Sequence, residues 1–178
     1  TGATWGATGR TFDGVDDGIV VVNLHKNRLT LEAWVKSSDI TQTYRGIVTQ
    51  RFTTADADPY HEYGLTVEFA QTPTMHVTTG GVRKSATGSI ALTSWTHLVG
   101  VYDGSNITLF INGIAGTPVA CTGDINDYGQ VLQIGRYYSS GTGSTFAGLE
   151  GEVRGYSRAL SAIEVQRNYQ ATKWKYGL

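Results

Sequence analysis

The chain has 178 residues, with 14 lysines and arginines against 15 aspartates and glutamates, and a formal net charge of −1. That length suits one domain with a sizeable core, and the near-neutral balance without long runs of one sign lacks the electrostatic footprint of a nucleic-acid binder. A single cysteine, Cys121, excludes an internal disulfide and has no Cys or His at ligand spacing for zinc, and no run of about 18 apolar residues predicts a membrane-spanning helix.

Glycine is abundant, at 23 residues against 3 prolines, and the strand-like segments are closely spaced, which predicts an all-β sandwich or barrel with many tight turns. Cys121 reads as a small buried apolar residue. The chain begins at Thr1 rather than Met and is expected to be a processed product or a domain excised from a longer protein.

Thr1 to Gly9 reads as a small, polar lead-in anchored by Trp5. A short strand from Arg10 ends in the turn F-D-G-V-D-D-G (Phe12 to Gly18), followed by a brief apolar run at Ile19 to Val22. Leu29 to Lys36 alternates strictly. Leu29, Leu31, Ala33 and Val35 share one face, and Thr30, Glu32, Trp34 and Lys36 the other, which is the period of a strand. Trp34 is too large to leave in water, so its face is expected to be covered at least in part. Further strands are predicted at Gly46 to Arg51, Tyr63 to Phe69 and Met75 to Thr79, the last turning at Gly80-Gly81 into Val82 to Ala86. Phe52 to His61 has the composition of a long surface loop.

The clearest hairpin runs from Ser94 to Gly113. Trp95, His97, Val99 and Val101 alternate on one arm, Ile107, Leu109 and Ile111 on the other, and Asp103-Gly104 between them suits a tight turn. Ile114 to Val119 is a further strand candidate, Asp124 to Gly129 a turn-rich loop, Val131 to Gly135 a buried strand, Arg136 to Thr145 an aromatic-bearing loop and Phe146 to Tyr156 the final strand. Ser161 with Glu164 three residues on forms a capping box, which starts a helix to about Tyr169. The remainder, residues 170–178, reads as a tail in which Trp174 and Tyr176 dock. Neither a repeat nor a linker interrupts residues 1–178, so one domain is expected.

Six stretches carry a family resemblance in order: F-D-G-V-D-D (from Phe12), L-T-L-E-A-W-V-K (from Leu29), W-T-H-L-V-G-V-Y-D-G (from Trp95), L-F-I-N-G (from Leu109), L-Q-I-G (from Leu132) and E-V-R-G-Y-S-R-A-L-S (from Glu152). Together they resemble the laminin-G-like, concanavalin A-like jelly-roll domains across Phe12 to Tyr169. The resemblance implies two packed antiparallel sheets, with function in the rim loops or on the concave face. Glu150, Gly151 and Gly155 depart from the family pattern around the last strand.

Asp13, Asp16 and Asp17 are the strongest metal candidates, because three carboxylates in a glycine-containing turn offer the hard oxygen ligands Ca²⁺ takes. The resemblance implies a structural Ca²⁺ between this turn and the last strand, with Glu152 as the far ligand. Asp56 and Asp58 form a weaker second cluster. Glycoside hydrolysis ranks third among the readings, since it needs two carboxylates flanking the scissile bond. Glu32, Glu62 and Glu68 lack a partner two residues away, and the Glu150–Glu152 pair lies in a strand the family uses structurally. His25, His61, His76 and His97 are dispersed, without the spacing of a catalytic triad or metal site.

Sugar binding fits better. Tyr44 with Arg45, Tyr60 with His61, Tyr128, and Tyr137 with Tyr138 put aromatic faces and polar groups on loops, where pyranose rings are commonly stacked and held. The expected protein is a non-catalytic module recognising glycan or cell-surface polysaccharide, outside the cell or on a virion or other particle. The alternative is a structural or adhesion domain that contacts neighbouring protein subunits of an assembly.

Overall fold

The strict alternation read along the chain becomes two antiparallel β-sheets packed face to face in the computed structural model, which describes residues 2–24, 27–39, 41, 43–53, 57–69, 72–137 and 145–178. The larger sheet places β1 (Thr4–Gly6), β2 (Gly9–Asp13), β14 (Ala147–Tyr156), β4 (Leu29–Ser37), β9 (Thr96–Tyr102), β10 (Asn106–Ile111) and β11 (Ile114–Ala115) side by side, with β12 (Val119–Ala120) also on β10. The smaller sheet runs β3 (Ile19–Val21), β13 (Leu132–Ile134), β5 (Arg45–Arg51), β6 (His61–Val67), β7 (Pro73–Thr79) and β8 (Val82–Thr87). Strands distant in sequence lie side by side, as in a jelly roll.

The core lies between the sheets. Leu29, Leu31, Ala33 and Val35 of β4 meet Ile47, Leu65, Met75, Val77 and Leu132 of the smaller sheet, with Phe12, Leu98, Tyr102 and Ile107 filling the remainder. Cys121 is buried with them. The hairpin of β9 and β10 turns as its residues require: Asp103 accepts hydrogen bonds from the N–H groups of Ser105 (2.8 Å) and Asn106 (2.7 Å), and Gly104 takes φ +92°.

The outer face of the larger sheet is covered as well. Helix α1 (Ala162–Thr172) starts at Ser161, whose capping box with Glu164 is formed, and a 3-10 turn follows over Lys173–Tyr176. Val165 and Leu160 pack on Val99, Val101 and Phe110. Trp34 is fully buried: its indole N–H donates to Thr172 Oγ1 at 2.9 Å, and its ring stacks on Tyr176 at 4.3 Å. Glu32, on the same face, accepts from His97 Nε2 (3.1 Å), Arg154 Nη1 (3.1 Å), the Tyr156 hydroxyl (3.2 Å) and Asn168 Nδ2 (2.7 Å). Burial pushes its carboxyl up, but these bonds outweigh it and hold the group below its ordinary value.

Four local expectations change. Arg45 and His61, expected on loops, are the first residues of β5 and β6, where pairing with the neighbouring strand fixes them. The lead-in contains β1, which pairs with β2. Ile114 to Val119 is two short strands rather than one, separated by residues that include Gly116 and Pro118, and Pro118 has no N–H to donate. The helix continues past Tyr169, and of the two tail aromatics Tyr176 is buried while Trp174 is 69% exposed. The departures at Gly151 and Gly155 have a steric cause. A Cβ at Gly151 would lie 2.3 Å from Tyr176 Oη, and one at Gly155 would lie 2.1 Å from a Leu24 methyl.

Glu150 pairs with Val35, which turns its side chain toward the interior, and both carboxylate oxygens are buried without a hydrogen-bond partner among the described residues. Burial pushes its carboxyl well above the ordinary 4.5. The folded state therefore keeps the proton while the unfolded chain releases it. Stability from this group is fully present below about pH 4.5 and is lost as pH rises toward the folded value. Glu150→Gln is expected to stabilise the protein at pH 7 and to match it near pH 4, as measured by urea unfolding across that range.

Candidate functional site

The outer face of the smaller sheet is built differently from that of the larger. One row of residues crosses all six strands in register: Val20, Gln133, Thr49, Gly64, His76 and Ser85. Flanking residues on the same face are Thr66, Thr74 and Thr78. Nearly all of these side chains are polar, yet Gln133, Thr49, His76, Thr66 and Thr78 are buried. The cover comes in part from the segment after β13. Thr49 Oγ1 donates to the Arg136 carbonyl (2.8 Å), and Arg45 Nη1 donates to the Thr145 carbonyl (2.9 Å). Gly46 permits this close approach, since a Cβ there would sit 2.4 Å from the Arg136 backbone.

At the centre of this face three rings stack. His61 lies against His76 with centroids 4.6 Å apart and an 8° tilt, and against Tyr137 at 4.3 Å and 26°. A bulge in β6 opposite Gln50 and Arg51 puts His61 on the outer face while Tyr63 points into the core. His76 is held at both nitrogens: Nε2 is 3.0 Å from Glu68 Oε1 and Nδ1 is 2.7 Å from Ser85 Oγ. Thr66 Oγ1 donates to the same Glu68 oxygen at 2.7 Å. His61 has no such partners. Its two ring nitrogens, Arg45 Nε, Arg136 Nε and Gln133 Oε1 are buried polar atoms without a hydrogen-bond partner among the described residues.

Burial pushes the His61 imidazole well below its ordinary value, helped by the neighbouring His76 and Arg83. Burial also lowers His76, although Glu68 opposes the shift. Burial raises Glu68, but its bonds from His76 and Thr66 outweigh this and hold it low.

The aromatic residues singled out in the sequence divide around this face. Tyr60 sits beside His61 and its ring carries the Arg83 guanidinium at 5.1 Å. Tyr137 is the upper layer of the stack. Tyr128 packs edge-on against Phe52 at 4.1 Å, and Phe52 is tied to Tyr60 by a backbone hydrogen bond of 2.9 Å. Tyr44, next to Arg45, pairs edge-on with Phe69 at the opposite end of the sheet. Tyr44 and Tyr60 take φ of +58° and +63°, a strained conformation for such bulky residues. Tyr138 lies outside the described residues, as do Asp56 and His25. Glu68, His76, Ser85, Arg83 and Gln133 were not singled out as ligand contacts. Their signal was present in the polar alternate positions of consecutive strands, but a single strand does not reveal which of its faces is the outer one.

Below Tyr128 lies a buried carboxylate. Glu62 accepts from Gln50 Nε2 (2.6 Å) and the Tyr128 N–H (2.7 Å), and burial raises its carboxyl to about 7.

The acidic turn is compact. Asp13, Asp16 and Asp17 each place an oxygen within 4.8 Å of the others. Asp13 Oδ1 accepts from the Val15 N–H at 2.8 Å, which holds its carboxyl below the usual range, and Asp17 Oδ2 accepts from the Asp13 N–H at 3.0 Å. Glu152 is not brought here. Asp13 pairs with Ala147, five residues along β14, which at strand rise is roughly 16 Å from position 152. Glu152 is instead engaged by Arg154 (2.5 Å) and Lys175. The expectation of Glu152 as far ligand is therefore corrected.

This arrangement defines a two-sheet jelly-roll domain with a polar, partly roofed face and an aromatic rim. The sequence profile of the concanavalin A-like lectin/glucanases superfamily matches residues 12–166, and the chain belongs to that family. Solved structures share the fold at low identity. The CBM40 module of the Ruminococcus gnavus IT-sialidase is 14% identical with a TM-score of 0.75, over 91% of this chain and 96% of that one. Domain 4 of the extracellular GH43 arabinanase AbnA from Geobacillus stearothermophilus, solved with arabinotriose, is 17% identical with a TM-score of 0.66, over 89% and 75%. Trypanosoma rangeli sialidase is 16% identical with a TM-score of 0.72 over 97% of this chain, which spans only 29% of the sialidase's length. No curated protein matches the sequence.

Both stacked histidines titrate below their ordinary value, so the unfolded chain takes up protons that the folded state refuses as pH falls below about 6.5. The contribution of these two groups to stability is therefore expected to fall between pH 7.5 and 5, opposed by the raised carboxyls of Glu62 and Glu150. His61→Phe keeps the ring stack and removes one titrating group, and its unfolding free energy should be shallower against pH by up to about 1.4 kcal/mol per unit.

Proposed function

We propose that the protein is a carbohydrate-recognition module whose ligand seats on the outer face of the six-stranded sheet. The observation that carries this reading is the set of buried polar atoms without partners among the described residues on His61, Arg45, Arg136 and Gln133. Folded proteins rarely leave such groups unpaired, and a ligand rich in hydroxyls offers both donors and acceptors to complete them. Tyr60, Tyr128 and Tyr44 supply rim aromatics whose apolar faces suit the apolar face of a pyranose. The family and the carbohydrate-binding module among the structural neighbours support the same class of ligand. The role is recognition rather than glycosidic cleavage, for Glu68 is committed to His76 and Thr66. The setting is a cell or particle surface, where polysaccharide is met.

Screening on a glycan array followed by calorimetry tests this. Binding to at least one glycan class is expected, and Tyr60→Ala and Tyr137→Ala should each weaken it about tenfold, the effect of losing roughly 1.5 kcal/mol of apolar contact. A chain that binds no glycan, or binds equally well in both variants, overturns the reading.

We further infer a structural Ca²⁺ held by Asp13, Asp16 and Asp17, whose convergent carboxylate oxygens fit a hard cation. Backbone carbonyls and water would complete the roughly 6–8 oxygens the ion takes. Added Ca²⁺ should raise the thermal midpoint and EDTA should reverse the shift, by about 2.7 kcal/mol of stability at 100 times the dissociation constant. Asp13→Asn and Asp17→Asn should abolish the response, and Glu152→Gln should leave it intact.

A further inference from the structure

The contacts of His76 have a second reading. Glu68, His76 and Ser85 form a continuous carboxylate–imidazole–hydroxyl line across β7 and β8, with Nε2 to Glu68 at 3.0 Å and Nδ1 to Ser85 Oγ at 2.7 Å. We propose that this line is an acyl-transfer centre, with Ser85 as nucleophile, that hydrolyses ester groups on a carbohydrate held against the same face. The sugar half of that substrate rests on the carbohydrate-recognition reading above; the acyl chemistry does not.

Four features support the assignment. First, the carboxylate sets the tautomer. His76 Nε2 is 3.0 Å from both Glu68 Oε1 and Thr66 Oγ1, and Thr66 spends its own proton on Glu68, so the proton is assigned to Nε2, which leaves the Nδ1 lone pair free to take the Ser85 proton. The roles of the two nitrogens are reversed relative to the serine-protease arrangement, but the chemistry requires only that one nitrogen be oriented and the other be free. Second, the ring is fixed in its plane by the His61 stack at 4.6 Å. Third, access is graded as catalysis requires. His76 is 4% exposed, whereas Ser85 is only half-buried and stands on β8, an edge strand. Burial keeps the imidazole unprotonated at neutral pH, so it is available as a base. Fourth, Arg83 precedes Ser85 by two residues on the same face of β8. Its charge reaches both histidines, and it can stabilise an oxyanion forming at Ser85.

The reaction balances with water alone. Ser85 Oγ attacks the ester carbonyl carbon while its proton passes to His76 Nδ1. The tetrahedral intermediate collapses, the bond from carbon to the sugar oxygen breaks, and that oxygen takes the proton from His76. Water then attacks the acyl-Ser85 carbonyl and gives its proton to His76. The Ser85 oxygen leaves, recovers the proton, and the free carboxylic acid departs. Ser85 and His76 are the catalytic residues in this scheme, and Glu68 is a positioning residue.

A fluorophosphonate probe tests the centre on the whole chain, with the adduct located by peptide mass mapping. The probe is expected to label Ser85, and p-nitrophenyl acetate hydrolysis should disappear with Ser85→Ala. His76→Gln should slow labelling by about 10²–10⁴-fold. Glu68 raises the basicity of His76, so Glu68→Gln should move the acid limb of the labelling-rate profile to lower pH as well as slow the rate, and Glu68→Asp should restore part of both. Thermal unfolding of each variant separates loss of labelling from loss of fold. Labelling of wild-type Ser85 no faster than of other surface serines, or unaltered by His76→Gln, overturns the acyl centre even if the protein binds glycans. Rapid, His76-dependent labelling in a protein that binds no glycan overturns only the sugar half.

Discussion

The buried carboxylate of Glu32 is the interaction on which the rest of the molecule depends. Through it, β9 (His97), β14 (Arg154 and Tyr156) and helix α1 (Asn168) are tied to β4 by four hydrogen bonds. A charge this deep is tolerated only when its oxygens are fully engaged, so the helix, the last strand and the central hairpin must occupy their places together. The Trp34 ring beside it, stacked on Tyr176 and bonded to Thr172, extends the same cover. With that face closed by the chain's own C-terminal segment, the proposed ligand seat falls on the outer face of the smaller sheet.

The two outer faces then differ in how completely their polar groups are paired. On the larger sheet the Glu32 oxygens find donors on every side, and His97 Nδ1 is the buried atom of that network without a partner among the described residues. On the smaller sheet, His61, Gln133, Arg45 and Arg136 keep buried atoms without partners among the described residues, although His76 a few ångströms away is bonded at both nitrogens. Buried polar groups are ordinarily paired, so the larger cluster of unpaired atoms on the smaller sheet is what supports the proposed ligand seat there. Strain is placed at the rim of the same face, where Tyr44 and Tyr60 hold left-handed backbone conformations.

The acidic turn and the polar face also meet through one residue. Thr145 Oγ1 donates to the Val15 carbonyl in the turn, at 3.3 Å, and the Thr145 carbonyl receives the Arg45 guanidinium. Asp13, Asp16 and Asp17 therefore lie next to the base of the segment that follows Arg136. Glu152, on the opposite face of the molecule's longest strand from the core, is bound up with Arg154 and Lys175 beside the C-terminal turn.

By itself the sequence determined most of the strands, the core face of β4, the Asp103-Gly104 turn, the helix start at Ser161 and the burial of Trp34. These follow from local rules, namely the two-residue period, turn chemistry and capping, and each is written in residues close together along the chain. Tyr60, His61, Arg45 and Tyr137 were also legible as candidates because aromatic and charged residues stood out in segments expected to be loops. Only the tertiary structure decided which of them share a surface. The β6 bulge turned His61 outward, and strand register set His76 between Glu68 and Ser85. The pairing of Asp13 with Ala147 kept Glu152 away from the acidic turn. Register and bulges arise from contacts between strands tens of residues apart, and a shift of one residue would turn every side chain to the other face. Alternation along one strand carries no record of that choice.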